Sequence, residues 1–257
     1  MKKMLLLFVM AAMLPLIGAE KSVVPKLELN DLLARIDKSI DPDGKGKTVK
    51  TVVNNYEASV PMQQITMQMS TMFKAPDKIK TSMQIQGIPA STEAYNGKIG
   101  WSMMESLGVR QITGTQLEFM RLTARMSNPA LRLQEIFAKI ILADDSEKVG
   151  VVDCYKLICQ AEQSFNLPPI TIWIDRKTFF PAKMEMKVFT DMGAVPSTSN
   201  FADYKQYNGV FFPSVQTTTT LGMELTAKLL SVKFDQTIPD SEFDMPTQAA
   251  APGGTTE

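Results

Sequence analysis

The sequence predicts an α+β fold: one large, curved antiparallel β sheet, a half-barrel, with about three helices covering its inner face. Three observations carry this expectation. Many segments alternate apolar and polar residues, the pattern of strands with one buried and one wet face. Only three stretches show helical spacing, one near the start and two in the middle. Turn residues separate neighbouring segments throughout, and no repeat divides the chain.

Residues 1–19 read as a cleavable export signal. Lys2 and Lys3 give a positive start, Met4 to Ile17 is an apolar run of 14 residues, and Gly18-Ala19 supplies a small-residue boundary. The rival, an uncleaved anchor, is disfavoured because a membrane helix takes roughly 20 apolar residues. No cysteine follows the boundary, so the lipoprotein processing pattern is absent. A single domain is expected over 20–246. The last residues, 247–257, are Ala, Pro, Gly and Thr around few others and are expected to be disordered.

The first helix is expected over 27–40, where Leu29, Leu32, Leu33, Ile36 and Ile40 share a face and Asp41-Pro42-Asp43-Gly44 ends it. Strands follow at 48–58, at Ile65, Met67 and Met69, and at Ile79, Thr81, Met83 and Ile85, with Ala75-Pro76-Asp77 turning between the last two. Asn96-Gly97 joins 92–95 to 98–101 as a hairpin. Helices are expected at 115–126, on Leu117, Met120 and Ala124, and at 130–142, on Leu133, Ile136, Phe137, Ile140 and Ile141. Asn128-Pro129 separates them. Strands then resume at 148–161, 170–175, 181–190, 200–206, 210–219, 221–229 and 230–236, with turns at Asp175-Arg176-Lys177 and Asn208-Gly209.

Composition narrows function. The chain has 27 basic and 27 acidic residues; without Lys2 and Lys3 the balance is slightly acidic, which gives nucleic acid no basic patch to bind. It has no histidine, which removes Ser-His-Asp triads, Cys-His pairs and most transition-metal sites. Asp144-Asp145 reads as a solvated turn, and Glu185 and Glu224 fall at polar strand positions, so no acid/base pair stands out. No phosphate loop or calcium loop is present, and no cofactor is expected. Cys154 and Cys159 share one strand; five strand residues span roughly 16 Å and put them on opposite faces, too far for a disulfide.

Fourteen methionines remain beyond residue 19. Met67, Met69, Met83, Met184, Met186 and Met223 fall on apolar strand faces with Ile85 and Leu225. Methionine adapts to varied apolar partners, so these eight residues are candidates for a lipid-binding lining; an ordinary core would show the same stripe. Trp101, in phase with Ile99 and Met103, lines the mouth or packs in the core. Met103 to Val109 is a candidate lid or docking loop.

A series of short motifs recurs in order: Asp31-Leu32-Leu33-Ala34, Lys74-Ala75-Pro76-Asp77-Lys78, Tyr95-Asn96-Gly97-Lys98-Ile99-Gly100-Trp101, Val152-Asp153-Cys154-Tyr155-Lys156-Leu157, Ile174-Asp175-Arg176-Lys177-Thr178-Phe179-Phe180-Pro181 and Tyr207-Asn208-Gly209-Val210-Phe211-Phe212-Pro213. Through them the chain, over roughly 27–245, resembles the LolA/LolB-like family of periplasmic lipoprotein carriers, most of all its outer-membrane lipoprotein-sorting branch. The resemblance implies an eleven-strand half-barrel closed by helices, a periplasmic location, and a cavity for the acyl chains of a lipid or lipoprotein. It implies a monomer that is no enzyme, and it leaves room for a docking protein at the inner or outer membrane. The family's lid-tethering sheet arginine is assigned to no position here. The same fold also resembles periplasmic sensors of envelope stress, the alternative role.

Overall fold

The computed structural model describes residues 27–86, 88–104, 107–143, 147–190 and 193–247. The expected export signal at 1–19, the expected disordered tail beyond Thr247 and the expected turn at Asp144-Asp145 lie outside them. Three helices are described: α1 (Leu29–Ile40), α2 (Gly114–Met126) and α3 (Leu133–Ile136). The strands are β1 (Thr51–Val60), β2 (Ile65–Lys74), β3 (Lys78–Ile85), β4 (Ile88–Tyr95), β5 (Gly100–Met104), β6 (Gly108–Ile112) and β7 (Lys139–Leu142). They continue as β8 (Glu147–Val149), β9 (Val152–Gln160), β10 (Ile170–Asp175), β11 (Pro181–Thr190), β12 (Gly193–Tyr207), β13 (Val210–Thr220) and β14 (Met223–Phe234). They form one antiparallel sheet in the order β6-β5-β4-β3-β2-β1-β14-β13-β12-β11-β10-β9-β7, with β8 also on β9. The sheet does not close, since β6 and β7 are its two ends. It has fourteen strands, not the eleven that the resemblance implies.

Register defines the faces, because directly opposed residues point the same way. Leu157 opposes Ile172, which opposes Met184; Met184 opposes Ser199, Ser199 opposes Thr218, and Thr218 opposes Leu225. Beyond Leu225, Ala227 opposes Ala58, and Ala58 opposes Met67. These residues make the inner face. Helix α1 buries Leu32, Leu33 and Ile36 there, against Leu157, Cys159, Ile170, Ile172 and Ile174. Each such aliphatic side chain contributes about 1.5–3 kcal/mol on burial.

Helix α2 is apolar on two sides because it bridges the concavity. Leu117, Met120 and Ala124 pack on Ile79 and Tyr95. Leu122 joins the α1 core instead, and Phe119 meets Phe189 of β11 at 5.9 Å between ring centroids. Gly100 permits the close approach: a Cβ there would stand 2.9 Å from Leu117 Cδ1.

Three sequence expectations are corrected. The helix expected over 130–142 is one turn, α3, followed by strand β7. Phe137 already has extended dihedrals (φ −108, ψ 134), and 139–142 pairs with β9. Ile140 and Leu142 turn inward while Ile141 is exposed; over so few residues periods of 2 and 3.6 coincide. The strand expected at 148–161 is a hairpin, β8 and β9, turning at Gly150-Val151 with Gly150 at φ 60. The strands expected at 221–229 and 230–236 are one, β14. Its register jumps so that Asn55 opposes Ser231 and Tyr56 opposes Leu229, leaving Leu230 as a bulge. The bulge moves the inward positions from odd to even numbers, which imitates a strand boundary.

Two-residue turns sit at opposite ends of β13. Asn208-Gly209 has φ 47 and 89, and Leu221-Gly222 has φ 52 and 75. Such hairpin turns favour Asn-Gly, and a leucine held at positive φ costs on the order of 1 kcal/mol. Leu221→Asn is therefore expected to raise the Tm by about 2–4 °C, measured by thermal unfolding.

The C-terminal segment straps the outer face. Phe243 is fully buried, and its carbonyl accepts a 2.8 Å hydrogen bond from Trp101 Nε1. Lys74 and Lys78 pair with Asp240 at 2.7 and 2.9 Å and hold its carboxyl below the ordinary range by hydrogen bonding.

Candidate functional site

A cavity of about 530 Å³ lies between the inner face and the helices, within the range of about 300–1,000 Å³ typical of small-ligand pockets. The sheet supplies Val52, Asn54 and Tyr56 from β1, Met69, Thr71 and Phe73 from β2, and Ile79 and Thr81 from β3. Ile36 and Ile40 of α1, Met126 of α2 and the 128–133 segment with Ile136 close it. The lining is apolar with a polar band. Thr71 and Thr81 stand 3.5 Å apart through their hydroxyls. Asn54 Oδ1 is buried without a hydrogen-bond partner. Burial pushes the Tyr56 phenol above its ordinary value, opposed by a hydrogen bond from Asn54, so it stays neutral and can donate. Burial likewise raises Asp37, against the opposing effects of Gln134 and Arg132.

One buried ion pair closes the helical side. Arg132 Nη2 meets Asp41 Oδ2 at 2.6 Å, with side-chain exposures of 12% and 0%. The same Asp41 oxygen accepts from the Gly46 amide at 3.1 Å, and Arg132 Nη1 donates to the Pro129 carbonyl at 3.0 Å. Glu135 Oε2 accepts from the Arg132 backbone amide. The segment under the cavity is thus tied to the end of α1. Asn128 Nδ2 adds a bond to the Pro76 carbonyl at 3.0 Å.

The nine sequence candidates divide. Met69 lines the cavity. Met67, Met83, Ile85 and Leu225 lie beside it on the same face, clustered with Ala58, Ala227, Val60 and Ile65, and every member of that cluster is a sheet residue. Met83 also borders a smaller cavity of about 280 Å³ toward β4–β6. Met184 and Met186 pack against the core cluster under the helices, where α2 contacts β11. Met223 is exposed at the rim. Trp101 opposes Ala94, which opposes Lys80, which opposes Met72; it lies on the outer face and packs under the C-terminal strap. Of the candidate lid segment 103–109, residues 103–104 and 108–109 belong to β5 and β6 and pair in the sheet.

Sequence reading missed Asn54, Tyr56, Thr71 and Phe73. Asn54, Tyr56 and Ala58 alternate, as do Met67, Met69, Thr71 and Phe73, so extending each alternation would have found them. Their polar members interrupted the apolar stripe.

The thiols are free and buried, on opposite faces of β9. Burial pushes Cys159 up to about 12 and raises Cys154, with Asp175 adding to the effect. The thiolate is the reactive form, so iodoacetamide is expected to label neither in the folded protein and both after denaturation, as read by mass spectrometry.

Comparison with known proteins places this architecture. No family model and no curated protein matches the sequence. Solved structures do. A LolA superfamily protein from Nitrosomonas europaea matches with a TM-score of 0.53 at 15% identity, over 85% of this chain and 98% of that one. A domain described as an outer membrane lipoprotein-sorting protein from Vibrio parahaemolyticus matches with a TM-score of 0.52 at 16% identity, over 82% and 94%. A DUF1329 family protein from Desulfovibrio piger matches with a TM-score of 0.52 at 13% identity, over 83% and 95%. The chain has the LolA-like fold, a curved open sheet with helices on its inner face.

Proposed function

We propose that the protein is a periplasmic carrier that holds acyl chains of a lipid or lipoprotein between the sheet and the helices. The observation that carries this reading is the 530 Å³ cavity, whose apolar lining continues into the sheet-only cluster around Met67 and Ala227. Apolar area left to water costs about 25 cal/mol per Å², so an acyl chain laid along that face gains what the helices do not supply. The fold is shared with a domain described as lipoprotein-sorting, which supports the same class of cargo.

The proposed lining is Met67, Met69, Met83, Ile85 and Leu225 with Tyr56, Phe73 and Ile79. Met184, Met186, Met223 and Trp101 leave it because of where they lie. The neutral phenol of Tyr56 can donate to the carbonyl of an acyl ester or amide, and the free oxygen of Asn54 can accept from an amide N–H. The role is non-enzymatic, exported through residues 1–19, carried out as a monomer, with a membrane-bound docking protein as a further partner. Titration with a fluorescent fatty acid tests the reading: saturable binding at one site is expected, and its absence overturns it.

A further inference from the structure

On one side the sheet ends in the connections β1–β2, β3–β4, β5–β6, β9–β10, β11–β12 and β13–β14, and three of them, β1–β2, β5–β6 and β13–β14, carry exposed apolar residues. The large apolar residues most exposed there are Met62 (88%), Leu107 (79%), Leu221 (55%), Met223 (53%) and Met104 (45%). The other exposed apolar side chains among the described residues are scattered over the opposite end, the edge strand β7, the β14 bulge and the C-terminal strap. Gln63 Nε2 stands 3.8 Å from Met223 Sδ, so two of the three turns touch. Strand spacing sets the third roughly 20 Å further along the curve.

We propose that this rim docks on the surface of a lipid bilayer by inserting its apolar turn residues. Three features choose a bilayer over a protein groove. The apolar tips are separate points along an arc, which a plane accepts and a groove does not. The described residues of these three turns include no Lys or Arg; contact by insertion needs no cation, whereas attraction to anionic headgroups does. Leucine also occupies a positive-φ turn position at 221 where the chain uses Asn208 in the equivalent turn at the far end of β13, so an apolar side chain is kept where the backbone disfavours it. Docking sets Val60, Ile65 and Leu225, the rim end of the sheet-only cluster, against the membrane. That last consequence rests on the carrier reading; the docking itself does not.

Flotation of the protein with phosphatidylcholine vesicles tests the proposal. Co-flotation is expected, nearly unchanged between low and high salt because Coulombic attraction would be screened. The triple variant M62E/L107E/L221D changes only exposed positions, and Asp tolerates positive φ; it is expected to lose vesicle partitioning at least tenfold with unchanged circular dichroism and unchanged fatty-acid binding. Failure to float with neutral vesicles, flotation confined to anionic vesicles and abolished by salt, or undiminished flotation of the variant would each overturn the proposal. A rim variant that instead converts a dimer to a monomer, with no vesicle binding by either protein, would overturn it in favour of a contact between copies. Loss of fatty-acid binding with flotation retained would leave docking standing and remove the carrier reading.

Discussion

Replacing Arg132 by alanine is expected to destabilise the protein by about 3–5 kcal/mol, the cost of leaving a buried charge without its partner. Asp41 has a fully buried side chain, and after the substitution only the Gly46 amide would face its carboxylate. For a chain of this size each kcal/mol moves the Tm by about 2–4 °C, so a fall of at least about 6 °C is expected. Asp41→Ala should cost less, because the Arg132 guanidinium retains the Pro129 carbonyl and some solvent. The double variant should fall short of the sum of the two, since contacting partners are not additive. Urea unfolding of the four proteins measures this. An Arg132→Ala protein within about 1 kcal/mol of the parent would show that the pair is not what holds this segment.

Filling the cavity is expected to have the larger effect on binding. Thr71→Phe places a ring in the polar band between Asn54 and Thr81, which oppose Thr71 on either side. Displacing about four methylenes of cargo, at about 0.8 kcal/mol each, weakens binding about 200-fold. Overpacking costs about 1–3 kcal/mol of stability, so circular dichroism must stay unchanged for the result to count. Met69→Glu gives an independent route to the same loss, by placing a carboxylate where the chain would lie. Full binding by both folded variants would place the cargo elsewhere.

Most strands and α1 were legible because each buries one regular stripe, and α2 was found from one of its two apolar sides. Leu32, Leu33 and Ile36 fall at helical spacing, and Met67 and Met69 at strand spacing, and both stripes are found where expected. What escaped was decided by pairing between distant segments. The β9 edge turns 139–142 into a strand, and the bulge at Leu230 shifts the parity of β14 without ending it. The site was half legible for a related reason. Apolar parity locates Met69 but gives Trp101 no face, because the outer face is also covered where the C-terminal strap crosses it. The Arg132–Asp41 pair joins residues 91 positions apart, and nothing local marks either one. Whether Met184 packs under a helix and Met67 does not depends on which part of the face the helices cover.

The central claim is that the space between sheet and helices holds acyl chains. Native mass spectrometry, with lipid extraction, of protein isolated from the periplasm without detergent tests it most directly. A copurifying lipid or acylated peptide is expected, held by the parent and absent from Thr71→Phe. A lipid-free protein that also fails to take up a fluorescent fatty acid would contradict the claim and leave a sensor or interaction role for this fold.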